Sequence, residues 1–276
     1  MTTQKIMSTY SAQTLSLNNE KDQYTLGQIL GIWLAAGAPM WLLGWVVYPW
    51  LSAGLAAVDA ALLRLALLTG GLVWQFVLAM IILYLEEGNL RLSTIRRRFW
   101  LNHPVAASTG ETQKRLWWWL IPMILLLVVL DIGLREPLVH LWTRLFPFLA
   151  EPAGYSGDAL FAPELRPQWV GAWDLFGLLL VTATFNTFLG EELLFRGVLL
   201  PKMEGVFGKW DWVANGILFC FYHLHQPWGF LATLPGDLLF AYSAKRFRSN
   251  WFPIILHSGQ SVYFLFLVLG LVLGLA

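Results

Sequence analysis

Apolar runs of about twenty residues recur along this sequence, and they constrain its fold more than any other feature. Residues 29–51 and 65–85 are two of the clearest examples. A helix of about 20 mostly apolar residues is long enough to cross the hydrocarbon core of a bilayer. Charged residues make up 13% of the chain, about half the share that is usual in a soluble domain. The sequence therefore predicts an all-α, multi-pass transmembrane helical bundle.

The apolar runs divide the chain into seven predicted spans, with eight as the alternative count. The predicted spans are 29–51, 65–85, 116–134, a run that starts near 173 and ends at the acidic pair 191–192, then 212–225, 228–244 and 251–276. The fifth and sixth are short for a bilayer, so we expect the bundle to shelter them or flanking residues to extend them. The polar segment 1–28 lacks the pattern of a cleaved signal peptide, so we expect the first span to be retained.

The basic residues predict the orientation of these spans. Cytoplasmic loops of membrane proteins are enriched in lysine and arginine. With the N-terminus inside, the connection 88–115 is a basic inner loop, and 135–172 is an acidic outer loop. The predicted outer segments then hold few basic residues, and these are Arg64, Arg135, Arg144 and Arg166. The pattern therefore favours an inside N-terminus and an integral membrane protein, in a bacterial inner membrane or, alternatively, an organelle membrane.

The net charge of the chain bears on which classes of partner are expected. The formal net charge is +1, so the chain lacks the basic field that attracts nucleic acid. We therefore expect no nucleic-acid partner. The expected partners are membrane lipid and a membrane-associated protein or peptide substrate.

Two adjacent carboxylates end the fourth apolar run. Glu191 and Glu192 are followed by Arg196, and charged groups at membrane depth are rare and usually functional. Glu192 and Arg196 are four residues apart, so they share one helix face and can pair. Glu191 points about 100° away, and it is the carboxylate that stays free for chemistry.

Two histidines in later spans complete a candidate site with Glu191. His223 ends the fifth span, and His257 lies in the seventh together with Ser261, four residues further on. One carboxylate and two imidazoles can activate water by general acid–base catalysis. Alternatively, Glu191, His223 and His257 can hold a divalent ion such as zinc. Asp237, in the sixth span, either supports a histidine or lines a wet cavity.

Other interpretations of these residues remain open. The Glu192–Arg196 pair and the histidines can be structural, in which case the protein is a non-catalytic membrane adaptor or immunity protein. Ionisable groups inside a membrane also form proton relays in transporters, which makes a proton-coupled transporter a second alternative.

With these residues in view, the chain resembles the CPBP family, which groups type II CAAX prenyl endopeptidases with bacteriocin-processing and immunity (Abi) proteins. The first family motif, two glutamates, three variable residues and an arginine, is matched by 191–196. The second, Phe-x-x-x-His, is matched by 219–223. The third, a histidine followed four residues later by asparagine or a similar small residue, is matched by His257 and Ser261. The resemblance covers about 190–261.

The resemblance implies an intramembrane endopeptidase, commonly described as a metalloprotease. It implies that Glu191 and His223 activate water, that His257 and Ser261 stabilise the oxyanion, and that Glu192 and Arg196 support the site. It makes 173–276 the catalytic core and 29–172 an N-terminal transmembrane region. Ser261 departs from the usual asparagine, because a hydroxyl offers one donor where an amide offers two.

Overall fold

The computed structural model describes residues 23–106 and 108–275. Regular structure in this part of the chain is helical, apart from one isolated β-bridge between Val105 and Thr112. The main helices are α1 (Leu26–Leu51), α2 (Ala57–Glu87), α3 (Leu92–Arg98), α4 (Lys114–Leu145), α5 (Trp173–Lys202), α6 (Asp211–Tyr222), α7 (Phe230–Phe247) and α8 (Trp251–Val272). Shorter helical turns lie at Pro147–Leu149, Gly157–Phe161, Pro163–Leu165, Arg166–Trp169, Glu204–Phe207, Gly208–Trp210 and Pro227–Gly229. Most of the predicted polar segment 1–28 lies outside the described residues.

Five of these helices are long and apolar enough to cross a membrane, and they are α1, α2, α4, α5 and α8. The predicted all-α, multi-pass bundle is therefore confirmed. The fifth and sixth predicted spans correspond to α6, with 12 residues, and α7, with 18. At 1.5 Å per residue α6 is about 18 Å long, too short for a hydrocarbon core of about 30 Å. With its start at the predicted inner side, α6 would end within the membrane.

Segments of π-helix interrupt three of the long helices. They are Leu43–Val47 in α1, Val129–Leu134 in α4, and Phe185–Gly190 and Leu193–Leu199 in α5. Single π-turns inside α-helices are often found at functional sites. The two segments of α5 flank the acidic pair, and every residue from 190 to 200 is buried. The centre of the hydrophobic core is thus the same stretch that carries the acids.

The third predicted span ends too early. It was expected to stop at Leu134, whereas the helix continues through Arg135 to Leu145. Charged residues and Pro137 follow the apolar run, and such a sequence is typical of a loop. Pro137 lacks the N–H that an α-helix interior requires, and the π-segment Val129–Leu134 directly before it changes the hydrogen-bond register at this point. The first part of the predicted outer loop is therefore helical.

The N-terminal part of the described chain and several basic residues lie at one end of the bundle. The backbone N–H of Tyr24 donates to the Lys202 carbonyl (2.9 Å), and Arg98 donates to the Glu86 carboxylate (2.9 Å). Lys245, at the end of α7, pairs with Asp211 at the start of α6. This end corresponds to the predicted inner side, so the arrangement fits the positive-inside rule.

At Gly190 the backbones of α5 and α2 approach each other closely. A Cβ added there would lie against the backbone oxygens of Phe185 and Leu72, at 2.8 Å from the latter. Backbone oxygens cannot move aside as a flexible side chain can. A glycine is therefore required before the acidic pair for packing.

We expect Gly190→Ala to lower the free energy of unfolding by about 1–3 kcal/mol, because it overpacks a filled core. Gly177→Ala in the same helix is the matched control, since a Cβ there meets nothing within 4 Å. Alanine also favours a helix over glycine, so the control should be neutral or slightly stabilised. Thermal unfolding of both variants in detergent micelles measures the difference. Equal stability of the two variants would contradict the close-packing argument.

Candidate active site

Buried side chains hold the widened part of α5 in place. Asn250 donates to the Glu192 carbonyl (2.9 Å), Asn215 to the Phe195 carbonyl (2.8 Å), and Arg98 to the Gly197 carbonyl (2.8 Å). A π-helix shifts the backbone hydrogen-bond partner from four to five residues away. Carbonyl oxygens in this segment thereby accept bonds from other helices and loops. The acidic pair is therefore carried on a segment fixed from three directions.

Glu192 and Arg196 form a fully buried ion pair. Arg196 Nη1 lies 3.2 Å from Glu192 Oε1, and both side chains have 0% exposure. Arg196 Nη2 also donates to the Asp237 carbonyl (3.3 Å), and its guanidinium lies 3.8 Å from the centre of the Phe219 ring. The pairing predicted from the four-residue spacing is thus present. It neutralises one of the two carboxylates inside the core.

Glu191 faces both predicted histidines. Its Oε1 lies 3.8 Å from His223 Nε2, and its Oε2 lies 3.8 Å from His257 Nε2. The side chain is 1% exposed, and neither oxygen has a hydrogen-bond partner among the described residues. The Tyr222 hydroxyl, which accepts a bond from Gln75 (2.6 Å), also interacts with Glu191, although not at full hydrogen-bond geometry. The structure therefore brings Glu191, His223 and His257 together.

The far side of each imidazole is anchored. His223 Nδ1 lies 3.0 Å from the Phe219 carbonyl, and His257 Nδ1 lies 3.0 Å from Glu192 Oε1. Both partners are acceptors, so we assign the hydrogen to Nδ1 in each ring. The Nε2 atoms that face Glu191 then carry lone pairs when the rings are neutral. The four-residue spacing of Phe219 and His223 thus orients the His223 ring through the Phe219 carbonyl.

His223 sits beside Glu191 because α6 is short. A full span would carry its C-terminal residue to the outer surface, away from the acids of α5. Since α6 ends at Tyr222 after 12 residues, His223 lies about 18 Å from the inner end of the helix. Glu191 lies 11 residues, or about 16 Å, before the inner end of α5. Both groups therefore reach similar depth.

A cavity of about 160 Å³ opens on the two imidazoles. That volume has room for several water molecules. His223, His257 and Asp237 line it, whereas Glu191 does not. Further polar lining comes from residues that the sequence analysis did not place at the site: Asp131, Arg135, Asn186, Gln226, Thr233 and Gln260. A cavity with a polar lining therefore meets the two histidines.

The supporting residues and Ser261 have different positions around this cavity. Asp237 lines it but makes no hydrogen bond to either histidine within the described part of the chain. Asp131, in the π-segment of α4, accepts a bond from Gln260 (2.7 Å). Ser261 lines a second cavity, between α5 and α8. The structure thus does not bring Ser261 to the cavity lined by the histidines.

Sequence reasoning missed several polar residues because they are isolated in apolar runs. Asn186 and Gln75 lie in the middle of α5 and α2, and Asn250 precedes α8. Asparagine and glutamine buried in a membrane helix bundle are costly unless paired. Their presence in apolar runs is a signal that was available in the sequence. The sequence does not say, however, which helices they face.

The donor set can be tested for a metal. Zinc bonds nitrogen and oxygen ligands at about 2.0–2.2 Å in tetrahedral geometry, so that neighbouring ligand atoms are about 3.3 Å apart. Both imidazole–carboxylate separations are 3.8 Å. Among the described residues, no group of three or more His, Cys, Asp or Glu side chains converges at the spacing of a metal site. The residues as placed do not fit a zinc ion.

Comparison with protein-family models gives a match over the C-terminal part of the chain. Residues 172–263 match the family model described as Rce1-like, type II CAAX prenyl endopeptidase. Searches of curated proteins and of solved structures found no match. At the level of the family, the match supports a CAAX-type protease and a membrane-associated protein substrate. The matched region runs from the start of α5 into α8 and contains all three motifs. The resemblance predicted from those motifs is therefore confirmed over residues 172–263, as an Rce1-like, type II CAAX prenyl endopeptidase match.

Proposed function

We propose that this protein is an intramembrane endopeptidase that hydrolyses a peptide bond of a membrane-tethered substrate with water activated by Glu191 and His223. The observation that carries the proposal is the convergence of Glu191 with the Nε2 atoms of His223 and His257 at 3.8 Å each. A catalytic carboxylate must reach a water that also reaches the substrate. We place this water between Glu191 and the two imidazoles, beside the cavity that His223 and His257 line.

The first step of the proposed reaction is the activation of water by two hydrogen-bond acceptors. Glu191 Oε1 and His223 Nε2 both accept hydrogen bonds, so a water between them donates to both. Its lone pairs then point away from the two acceptors, toward the cavity that His223 lines. As the water oxygen attacks the substrate carbonyl carbon, its proton moves to the Glu191 carboxylate, and the carbonyl oxygen becomes an oxyanion.

The second step uses the same carboxyl group as an acid. The tetrahedral intermediate collapses, the C–N bond breaks, and the proton held by Glu191 passes to the departing amine. His257, held by Glu192 through Nδ1 (3.0 Å), presents Nε2 to the same space. In its protonated form it donates to the oxyanion, which is the kind of stabilisation that most lowers such barriers.

The test is hydrolysis by purified protein in liposomes. The probe is a fluorescence-quenched peptide that ends in a farnesylated CAAX sequence, and the same peptide without the farnesyl group is the control for tethering. In heavy-oxygen water, the new carboxylate should gain one labelled oxygen atom from the solvent. Glu191→Gln protein controls for contaminating proteases. Equal cleavage by wild type and this variant would contradict the proposal and favour the non-catalytic adaptor.

A bound divalent ion stays a prediction. Elemental analysis of the purified protein, compared with His223→Ala protein, measures whether an ion is held by these side chains. One equivalent of zinc that is lost with His223 would support the ion, and the wild-type rate after chelation would then show whether catalysis uses it.

A further inference from the structure

The position that should supply the amide donor of the site is occupied by Ser261, and Ser261 faces elsewhere. Successive residues of an α-helix turn by about 100°. His257 and Gln260 of α8 both line the 160 Å³ cavity, so the cavity lies on the side of His257 toward Gln260. Ser261 lies about 40° to the other side of His257, and it lines the separate, largely apolar cavity against α5. The histidine cavity thus lacks the side chain expected from the third motif.

Asn186 lines both cavities, so it reaches the histidine cavity that Ser261 does not line. It belongs to the π-segment Phe185–Gly190 of α5 and shares the first cavity with His223 and His257. Its side chain makes no hydrogen bond with the described residues. An amide with two N–H donors therefore faces the polar cavity without a protein partner. An unpaired amide in an apolar helix costs free energy, and a partner that binds in the cavity would recover it.

The π-segment explains why Asn186 lies on the side of α5 that serves the site. In a regular α-helix, residues five apart are separated by about 140° around the axis. In a π-helix the backbone bond joins residues five apart, which brings them nearly one above the other. Asn186 and Glu191 are five apart, and the segment between them is π-helical. The widened turn therefore moves the amide toward the face that carries the carboxylate.

We propose that Asn186 is the oxyanion donor of this protein, taking the role that the sequence pattern assigns to position 261. This inference rests on the proposed function. When water attacks the carbonyl carbon of the substrate, the π-electrons of the C=O bond move to oxygen, and Nδ2–H of Asn186 donates to that oxygen. No bond to Asn186 forms or breaks. His257, which lines the same cavity, contributes the second donor.

The test compares Asn186→Ala, Asn186→Asp and Ser261→Ala with the same farnesylated peptide in liposomes. Loss of one oxyanion donor lowers kcat by about 10²–10³-fold, and KM should change little, because the ground-state carbonyl needs the donor less. Asn186→Asp keeps the shape of the side chain and replaces the donor by an acceptor, so we expect the same loss. Ser261→Ala should lose at least tenfold less. Thr184→Ala, an exposed site on α5, controls for general effects on the helix.

The outcomes separate this inference from the proposed function. A wild-type rate no higher than that of Glu191→Gln would contradict the proposed function itself. Cleavage that depends on Glu191 but survives in both Asn186 variants would overturn the inference alone. A loss in Ser261→Ala as large as in Asn186→Ala would also overturn it. Unfolding of both Asn186 variants, measured by thermal melting in micelles, would assign a structural role and contradict a catalytic one.

Discussion

Glu191→Gln is expected to lower kcat/KM for the farnesylated peptide by about a thousandfold, within the range of a lost general base. Glutamine has nearly the same shape, but its amide cannot take a proton from water. Because neither oxygen of Glu191 accepts a full hydrogen bond from the described residues, the substitution removes no full hydrogen bond. We therefore expect the melting temperature to stay the same or to rise. Initial rates in liposomes and thermal melting in micelles measure the two effects.

The matched control for this substitution is Glu204→Gln. Glu204 is 61% exposed and pairs with Lys245 at 2.8 Å on the surface. The same chemical change there should leave the rate within a factor of two or so, since exposed ion pairs contribute little. A Glu191→Gln protein that cleaves at the wild-type rate would contradict a catalytic role for Glu191 beside His223 and His257.

Arg196→Met should be the most destabilising single substitution at the site, by about 3–5 kcal/mol in the free energy of unfolding. Removing one partner of a buried ion pair leaves the other charge uncompensated in the core. Arg196 also packs on the Phe219 ring at 3.8 Å, and methionine retains part of that contact. Denaturant titration of the micelle-bound protein measures the loss.

The double variant Glu192→Gln/Arg196→Met separates charge from packing. If the uncompensated charge is the main cost, the double variant should be more stable than Arg196→Met alone, giving a clear coupling in a double-mutant cycle. Arg97→Met, at an exposed pair with Glu87 (2.6 Å), should cost less than about 1 kcal/mol. Additive effects of the two buried substitutions would contradict the ion-pair argument.

Much of the architecture was predictable from local pattern. Apolar runs mark the spans because lipid offers no hydrogen-bond partners, so the backbone must satisfy itself within helices. Of the five long helices, α1 and α8 match predicted spans closely, whereas α2 begins at Ala57 instead of 65 and α5 continues to Lys202 past the predicted end at 192. The third was cut short at Leu134, because Arg135 and Pro137 resemble the end of a helix. The π-segment that allows α4 to continue leaves no recognisable pattern in sequence.

The identity of the candidate residues was also predictable, because ionisable groups are rare in apolar runs. The sequence alone marks five such groups, and these are Glu191, Glu192, Arg196, His223 and His257. The relation of Asn186 to Glu191 was not predictable, since a regular helical wheel places them far apart. The position of Ser261 was not predictable for the same reason. Its four-residue spacing places it near His257 on α8, but the spacing does not show which cavity its side chain lines.

The sequence by itself determined that the chain forms a membrane-embedded helical bundle, and it identified which charged groups lie inside. Those conclusions depend on solvation free energies, which act residue by residue and can be read along the chain. Only the tertiary structure decided which groups meet. The short α6 brings His223 to the depth of Glu191, and the widened turns of α5 rotate Asn186 toward the same cavity. Both effects depend on where other helices end and which carbonyls they satisfy, and that information is distributed over the whole fold.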